Sequence, residues 1–306
     1  MNYQHIPIIE RRDRKCELLV KHKCELGECP VWDVARSALL WIDIISGKLY
    51  IYYTQTGICK TFNLPALTGS IVLTNKGEVL AATTEGFWLF NLENGSNKPI
   101  VFMGEELSCR RFNDGKCDPH GRFWAGTLAL PGYQSTGNVY ALETDDTVSL
   151  KIPGVKVSNG MCWDNDAYYF IDTPTQKVIK YTYDVATGNI KNPIVAINIP
   201  KEYGAPDGMT IDAEGMIWIA LWNGSKIGRW DPITGNLLYT ITLPVSKITS
   251  CTFGGANLND LYITTANIGM STTELHKEPL AGGLFVIKDI GYCGRPANLF
   301  KTDKHI

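Results

Sequence analysis

Residues 115–127 read GKCDPHGRFWAGT and residues 208–221 read GMTIDAEGMIWIAL. Each stretch is a short apolar strand, a turn built on Asp and Gly, and a returning strand rich in aromatic and β-branched residues, the pattern of an antiparallel pair. Four further stretches keep the same order: PVWDVARSALLWIDI at 30–44, SIVLTNKGEVLAAT at 70–83, GMCWDNDAYYFIDT at 160–173 and CTFGGANLNDLYITT at 251–265. A third strand follows each pair, as in GKLYIYY from Gly47 and SKIGRW from Ser225. Less distinct fourth strands follow, for example CKTFNL from Cys59 and LLYTITL from Leu237. Four antiparallel strands recurring roughly every 45 residues form the blade of a propeller. A sandwich has no reason to repeat its turn chemistry at a fixed period. The predicted fold is therefore all-β, a six-bladed β-propeller with four-stranded antiparallel blades.

A propeller must close its ring or expose strand edges. The segment KCELLVKHKC at 15–24 precedes the first repeat and has no blade of its own. It is expected to supply the outermost strand of the sixth blade. No Ser/Pro-rich linker divides the chain, so residues 1–306 are read as one domain with a polar N-terminal arm at 1–14.

Composition removes several function classes. The formal net charge is -2 with Lys and Arg scattered, so neither nucleic acid nor an anionic membrane surface is an expected partner. No stretch approaches the ~20 apolar residues of a membrane span, and Met1 to Arg14 lacks the apolar core of a secretory signal. The nine cysteines are dispersed without a C-x-x-C pair, which points to a reducing, cytoplasmic setting and to core-filling thiols. One pairing stays open, a bridge from Cys16 to Cys293 joining the chain ends. Oligomeric state is unmarked in the sequence, and a monomer is the simplest expectation.

Counting back five residues from the turn of each repeat gives Glu28, Gly69, Asn113, Asn159, Asp207 and Thr249. In a propeller the first strand of each blade lines the central channel, so these equivalent positions ring one mouth of it. Four carry hard oxygen donors: Glu28, Asn113, Asn159 and Asp207. Two carboxylates and two amides without His or Cys suit one hard divalent cation, Ca²⁺ before Mg²⁺, Mn²⁺ or Zn²⁺. With two anionic ligands, positions stay free for water or substrate, which permits catalysis. Any one Asn-Gly or Asp-Gly pair taken alone reads better as a turn. Four at one place in the repeat read as a site. Arg111, two residues before Asn113, falls on the same strand face and could grip an oxygen of the substrate.

These residues also carry a family resemblance. GECPVW (27–32), RFNDGKCDPHGRFWAGT (111–127), SNGMCW (158–163), PDGMTIDAEGMIWIA (206–220), TSCTFGG (249–255) and AGGLF (281–285) occur in the order found in the senescence marker protein/regucalcin, gluconolactonase and luciferin-regenerating-enzyme family, which the chain resembles from about Cys24 to Gly291. The resemblance implies a metal held by Glu28, Asn159 and Asp207, substrate contacts from Arg111 and Asn113, and Asp207 as acid/base. One departure stands out. Regucalcin-type members continue Gly-Thr-Met-Ala-Glu-Glu, with the second Glu on the substrate, where this chain has Gly126-Thr127-Leu128-Ala129-Leu130-Pro131. Pro131 supplies no carboxylate, so a less polar substrate than gluconolactone is expected.

The leading expectation is thus a metal-dependent lactonase, with a broader esterase or organophosphate hydrolase as a variant. Rival readings are a calcium-binding regulatory protein without turnover, a luciferin-regenerating-enzyme-like protein with an apolar ligand, and a propeller scaffold for protein partners.

Overall fold

The computed structural model describes residues 15–65 and 67–302. The polar arm expected at 1–14 lies outside them. Six four-stranded antiparallel sheets form the blades of a six-bladed β-propeller. Their innermost strands, in blade order, are Gly27–Asp33, Ser70–Leu73, Arg110–Cys117, Ser158–Asp164, Ala205–Ile211 and Ile248–Gly254. In blades 1 to 5 the chain runs outward through four consecutive strands. The sixth sheet recruits Glu17–Val20 as its outermost strand, paired with Leu284–Ile287. The N-terminal segment therefore closes the ring, as its position before the first repeat predicts.

The core is divided rather than central. Six buried apolar clusters lie one between each pair of neighbouring blades. Trp124, Trp163 and Tyr168 fill the space between blades 3 and 4, and Trp218 and Phe253 that between blades 5 and 6. Strands buried on both faces read as near-continuous apolar runs, as in Ala38–Asp43, where every residue is buried.

The recurring Asp of the turn is structural. Asp118 is fully buried, and its Oδ1 accepts from the N–H groups of His120, Gly121 and Arg122, each at 2.9 Å. Its Oδ2 accepts from Trp124 Nε1 at 3.0 Å, Tyr183 OH at 2.7 Å and Arg122 Nη1 at 3.1 Å. Asp212 repeats the device in blade 5 with Trp218 Nε1 at 2.9 Å and Arg229 Nε at 2.7 Å. One carboxylate thus ties a hairpin turn to the indole of its returning strand.

Apart from the open pairing of Cys293, the repeat pattern gives no element to the segment after Gly291. It forms a strap across the channel end opposite the ring positions. Gly294 N donates to Leu258 O in blade 6, and Cys293 O accepts from Ala213 N in blade 5. Arg295 pairs with Asp164 of blade 4 at 2.7 Å, Asn298 donates to Cys117 O of blade 3, and Phe300 N to Leu73 O of blade 2. Cys293 lies in this strap while Cys16 packs beside the cluster between blades 5 and 6. Both are free thiols, so the bridge left open above is not formed. No helix among the described residues is long and apolar enough to cross a membrane.

Candidate functional site

The ring positions coincide with irregularities in the innermost strands. Pairing with the second strand breaks after Glu28, Phe112, Ser158, Pro206 and Ile248 and resumes at Val31, Gly115, Met161, Met209 and Ser250. Such bulges free a residue from the ladder and re-aim its side chain. Asn113, Asn159, Asp207 and Thr249 sit within bulges and Glu28 at the edge of one. The inner pair of blade 2 stays in register. There Gly69 packs against blade 3, where an added Cβ would lie 2.2 Å from the Phe112 carbonyl, so this blade contributes no side chain to the ring.

The glycines after three ring residues serve close approach, not a turn. A Cβ on Gly160 would stand 2.8 Å from Asp207 O, one on Gly208 2.2 Å from Ser250 Oγ, and one on Gly115 2.6 Å from Ser70 Oγ. All three lie inside strands. Inner strands of neighbouring blades converge toward the channel, and side chains do not fit where they meet. The turn reading of Asn159-Gly160 and Asp207-Gly208 therefore fails on geometry.

The expected site residues come together. Arg111 Nη1 donates to Asn113 Oδ1 at 2.9 Å and to Phe112 O at 2.8 Å. Asn113 Nδ2 donates to Asn159 Oδ1 at 3.2 Å and to Ser158 O at 2.9 Å. Asn159 Nδ2 reaches Thr173 Oγ1 at 2.8 Å, whose hydroxyl donates to Pro206 O at 2.8 Å beside Asp207. This chain locks blades 3, 4 and 5 into one rim. Across the ring, Glu28 Oε2 accepts from the N–H of Cys29 at 2.9 Å, with Cys29 held at a φ of 49°. A buried β-region residue does not adopt that φ without strain, and strain of this kind collects at functional sites.

The electrostatics are those of crowded, buried anions. Burial pushes the Glu28 carboxyl up to about 8, and repulsion from Asp114 adds to it. Burial also drives Asp207 well above the usual carboxylate range, with Glu28 and Asp114 reinforcing it and the Gly208 N–H and Asn159 amide opposing. Asp114 is raised by burial and relieved by Lys116. Burial lowers Arg111, while Glu28 and Asp207 pull it back up. The carboxylates lie near enough to repel one another, yet among the described residues no three His, Cys, Asp or Glu side chains gather at ligating distance. The donor set at the ring is two carboxylates and amide oxygens.

Asp114 and Thr173 were missed from sequence. Strict alternation turns Asp114 away from the face of Asn113, but the bulge between Phe112 and Gly115 suspends alternation. Thr173 orients Asn159 from the turn just after the second strand of blade 4, a position to which the ring pattern gives no signal.

The comparisons with known proteins agree with this geometry. The SMP-30/Gluconolactonase/LRE-like region model matches residues 26–267. The chain belongs to the SMP-30/gluconolactonase/LRE-like family. Within that family it is 38% identical over 289 residues to regucalcin of Macaca fascicularis, covering 92% of this chain and 96% of that one. It is 37% identical over 262 residues to the Bacillus subtilis protein named "Putative sugar lactone lactonase YvrE", covering 85% of this chain and 90% of that one. The crystal structure of a calcium-binding protein, regucalcin, from Agrobacterium tumefaciens superposes with a TM-score of 0.87 at 25% identity, covering 94% and 96% of the two chains. Family membership confirms the resemblance read from GECPVW, RFNDGKCDPHGRFWAGT and their companions.

Proposed function

We propose that this family member hydrolyses a lactone at the bulge ring, using one divalent cation held by Glu28, Asn159 and Asp207. The observation that carries the reading is the convergence of buried Glu28 and Asp207 with Arg111 and Asn113 at one channel mouth, in a chain related to one named a lactonase. The donor set fits a hard cation: its oxygens are carboxylate and amide, and its buried anions repel one another. Ca²⁺ is our first choice, and the Agrobacterium regucalcin, described as a calcium-binding protein, favours it. A bound cation supplies positive charge that polarises a carbonyl and acidifies water.

The chain's own groups do the rest. Asp207 takes a proton from the attacking water as the water oxygen bonds to the acyl carbon. The ring C–O bond then breaks, and Asp207 returns the proton to the leaving alkoxide. Arg111 spends Nη1 on Phe112 O and Asn113 Oδ1 and keeps its remaining N–H groups for the developing oxyanion. Asn113, fixed by Ser158 and Asn159, sets the substrate's orientation.

The substrate is less polar than an aldonolactone. Leu128 is the cross-strand partner of Arg111, so its side chain shares that face. Leu130, whose N–H donates to Cys109 O just before that strand, and Pro131 extend this apolar rim. An aliphatic or aromatic arm on the lactone matches that rim.

The test is proton release from a panel of aldonolactones and alkyl-substituted lactones, with Ca²⁺, Zn²⁺, Mn²⁺ or EDTA, for wild type and Asp207→Ala. Turnover should require metal, prefer the alkyl lactones, and fall by about 10²- to 10⁴-fold in Asp207→Ala. Metal binding without turnover on any lactone overturns the proposal. It would leave a calcium-binding role of the kind named for the Agrobacterium regucalcin.

A further inference from the structure

The end of the channel opposite the ring holds a cavity of about 200 Å³. Its walls are the later residues of the innermost strands, and Arg295 to Asn298 of the C-terminal strap close it. Glu28, Arg111, Asn113, Asn159 and Asp207 are absent from its lining. It lies on the strap side of those five side chains, with Cys29 and Asp114 of the bulges on its wall toward the ring.

Three aromatic side chains, Trp32, Trp163 and Phe253, line it together with Lys116, Thr210 and Thr252. Most of the inner-strand residues are buried, whereas Lys116, Thr210 and Thr252 keep partial exposure. Residues of a central strand can keep such exposure only by facing the channel. Lys116 Nζ donates to Met209 O at 2.7 Å, which leaves two of its three N–H groups for a guest. The indole N–H of Trp163 is buried with no hydrogen-bond partner among the described residues. Each cation has an anion beside it, Asp114 near Lys116 and Asp164 paired with Arg295 at 2.7 Å. A charged guest would find no unbalanced countercharge. In size, a dry cavity of about 150 Å³ accepts benzene, so this one accommodates a single ring with a small substituent. Access is short, because Arg295 to Asn298 line the cavity and are also exposed to solvent. One thickness of chain separates the guest from bulk water.

We infer that the strap end of the channel is a second binding site, distinct from the ring, for a neutral monocyclic molecule bearing one hydrogen-bond acceptor. This inference does not depend on lactone turnover. Phenol, cyclohexanol and benzamide are suitable probes, with benzoate and cyclohexylamine as charged counterparts. Thermal melting and tryptophan fluorescence would be recorded for wild type, Asp207→Ala, Thr252→Trp and Ala297→Trp. A neutral probe should quench fluorescence saturably and raise the melting temperature by about 2 °C at ten times its Kd. Asp207→Ala should keep that response, and the two Trp variants, which fill the cavity, should lose it. Ala297→Trp sits on the exposed strap and keeps the test valid where Thr252→Trp does not fold. The inference fails where no neutral probe saturates, where the response survives Ala297→Trp, or where Asp207→Ala removes it. It fails equally where the charged probes bind more tightly than the neutral ones.

Discussion

At the scale of single residues, the ring crowds carboxylates where water cannot screen them. Glu28 and Asp207 are 4% and 7% exposed, and their carboxyls rise through burial before any neighbour is counted. A carboxyl raised on folding binds its proton more tightly in the native state than in the unfolded chain. Its stabilising effect is then full below the unfolded value and is lost as pH rises through the folded one. For Glu28 that window runs from about 4.5 to about 8. Chelated protein should thus melt at progressively lower temperature between pH 5 and pH 8. Glu28→Gln should flatten the dependence, as followed by calorimetry in EDTA. Added Ca²⁺ should restore stability most at the alkaline end, because it meets the deprotonated carboxylates. A melting temperature that climbs with pH in EDTA would refute this account.

At the scale of elements, the bulge is the device that matters. A regular strand sends successive side chains to opposite faces, whereas the breaks at Phe112/Gly115 and Pro206/Met209 release Asn113, Asp114 and Asp207 from that rule. The glycines that follow let neighbouring inner strands approach. Gly160→Ala places a methyl 2.8 Å from Asp207 O and 2.9 Å from Met209 N, both backbone atoms that cannot rotate away. This substitution should cost about 1–3 kcal/mol in urea unfolding. Any metal-dependent turnover should fall with it, since the strand that shifts carries Asp207. Unchanged stability would show that the strands yield more easily than their packing suggests. The turn aspartates play a different part. Asp118 and Asp212 hold Trp124 and Trp218 in the cores between blades. The repeat visible in sequence is therefore largely a packing signature, and the proposed site lies five residues before it.

At the scale of the whole molecule, two terminal segments finish what six repeats begin. Glu17–Val20 covers the edge of Leu284–Ile287, four fully buried residues whose outer ladder would otherwise be open. Deleting residues 1–20 should lower the melting temperature by about 5–10 °C and bring concentration-dependent light scattering, because the bare edge can pair with another chain. A truncated chain that melts like the full one would show that the ring needs no such closure. The strap after Gly291 acts at the other end, touching blades 2 to 6 and covering that mouth of the channel. Much of this was legible in the sequence. Hydrophobic alternation and turn chemistry are local, so the six blades, their order and the equivalence of Glu28, Asn113, Asn159 and Asp207 follow from residues near in the chain, and the closing strand follows from the need to cover a ring's last edge. Asp114, Thr173 and the strap were not legible. Asp114 depends on a register break, Thr173 on an orientation between blades, and the strap on contacts with blades far away in the chain. Local sequence thus determined which residues ring the channel and how often the blade recurs. Only the closed tertiary structure decided how deeply those residues are buried, which of them repel, and that the channel has a floor, because desolvation and long-range packing exist only once all six blades are in place.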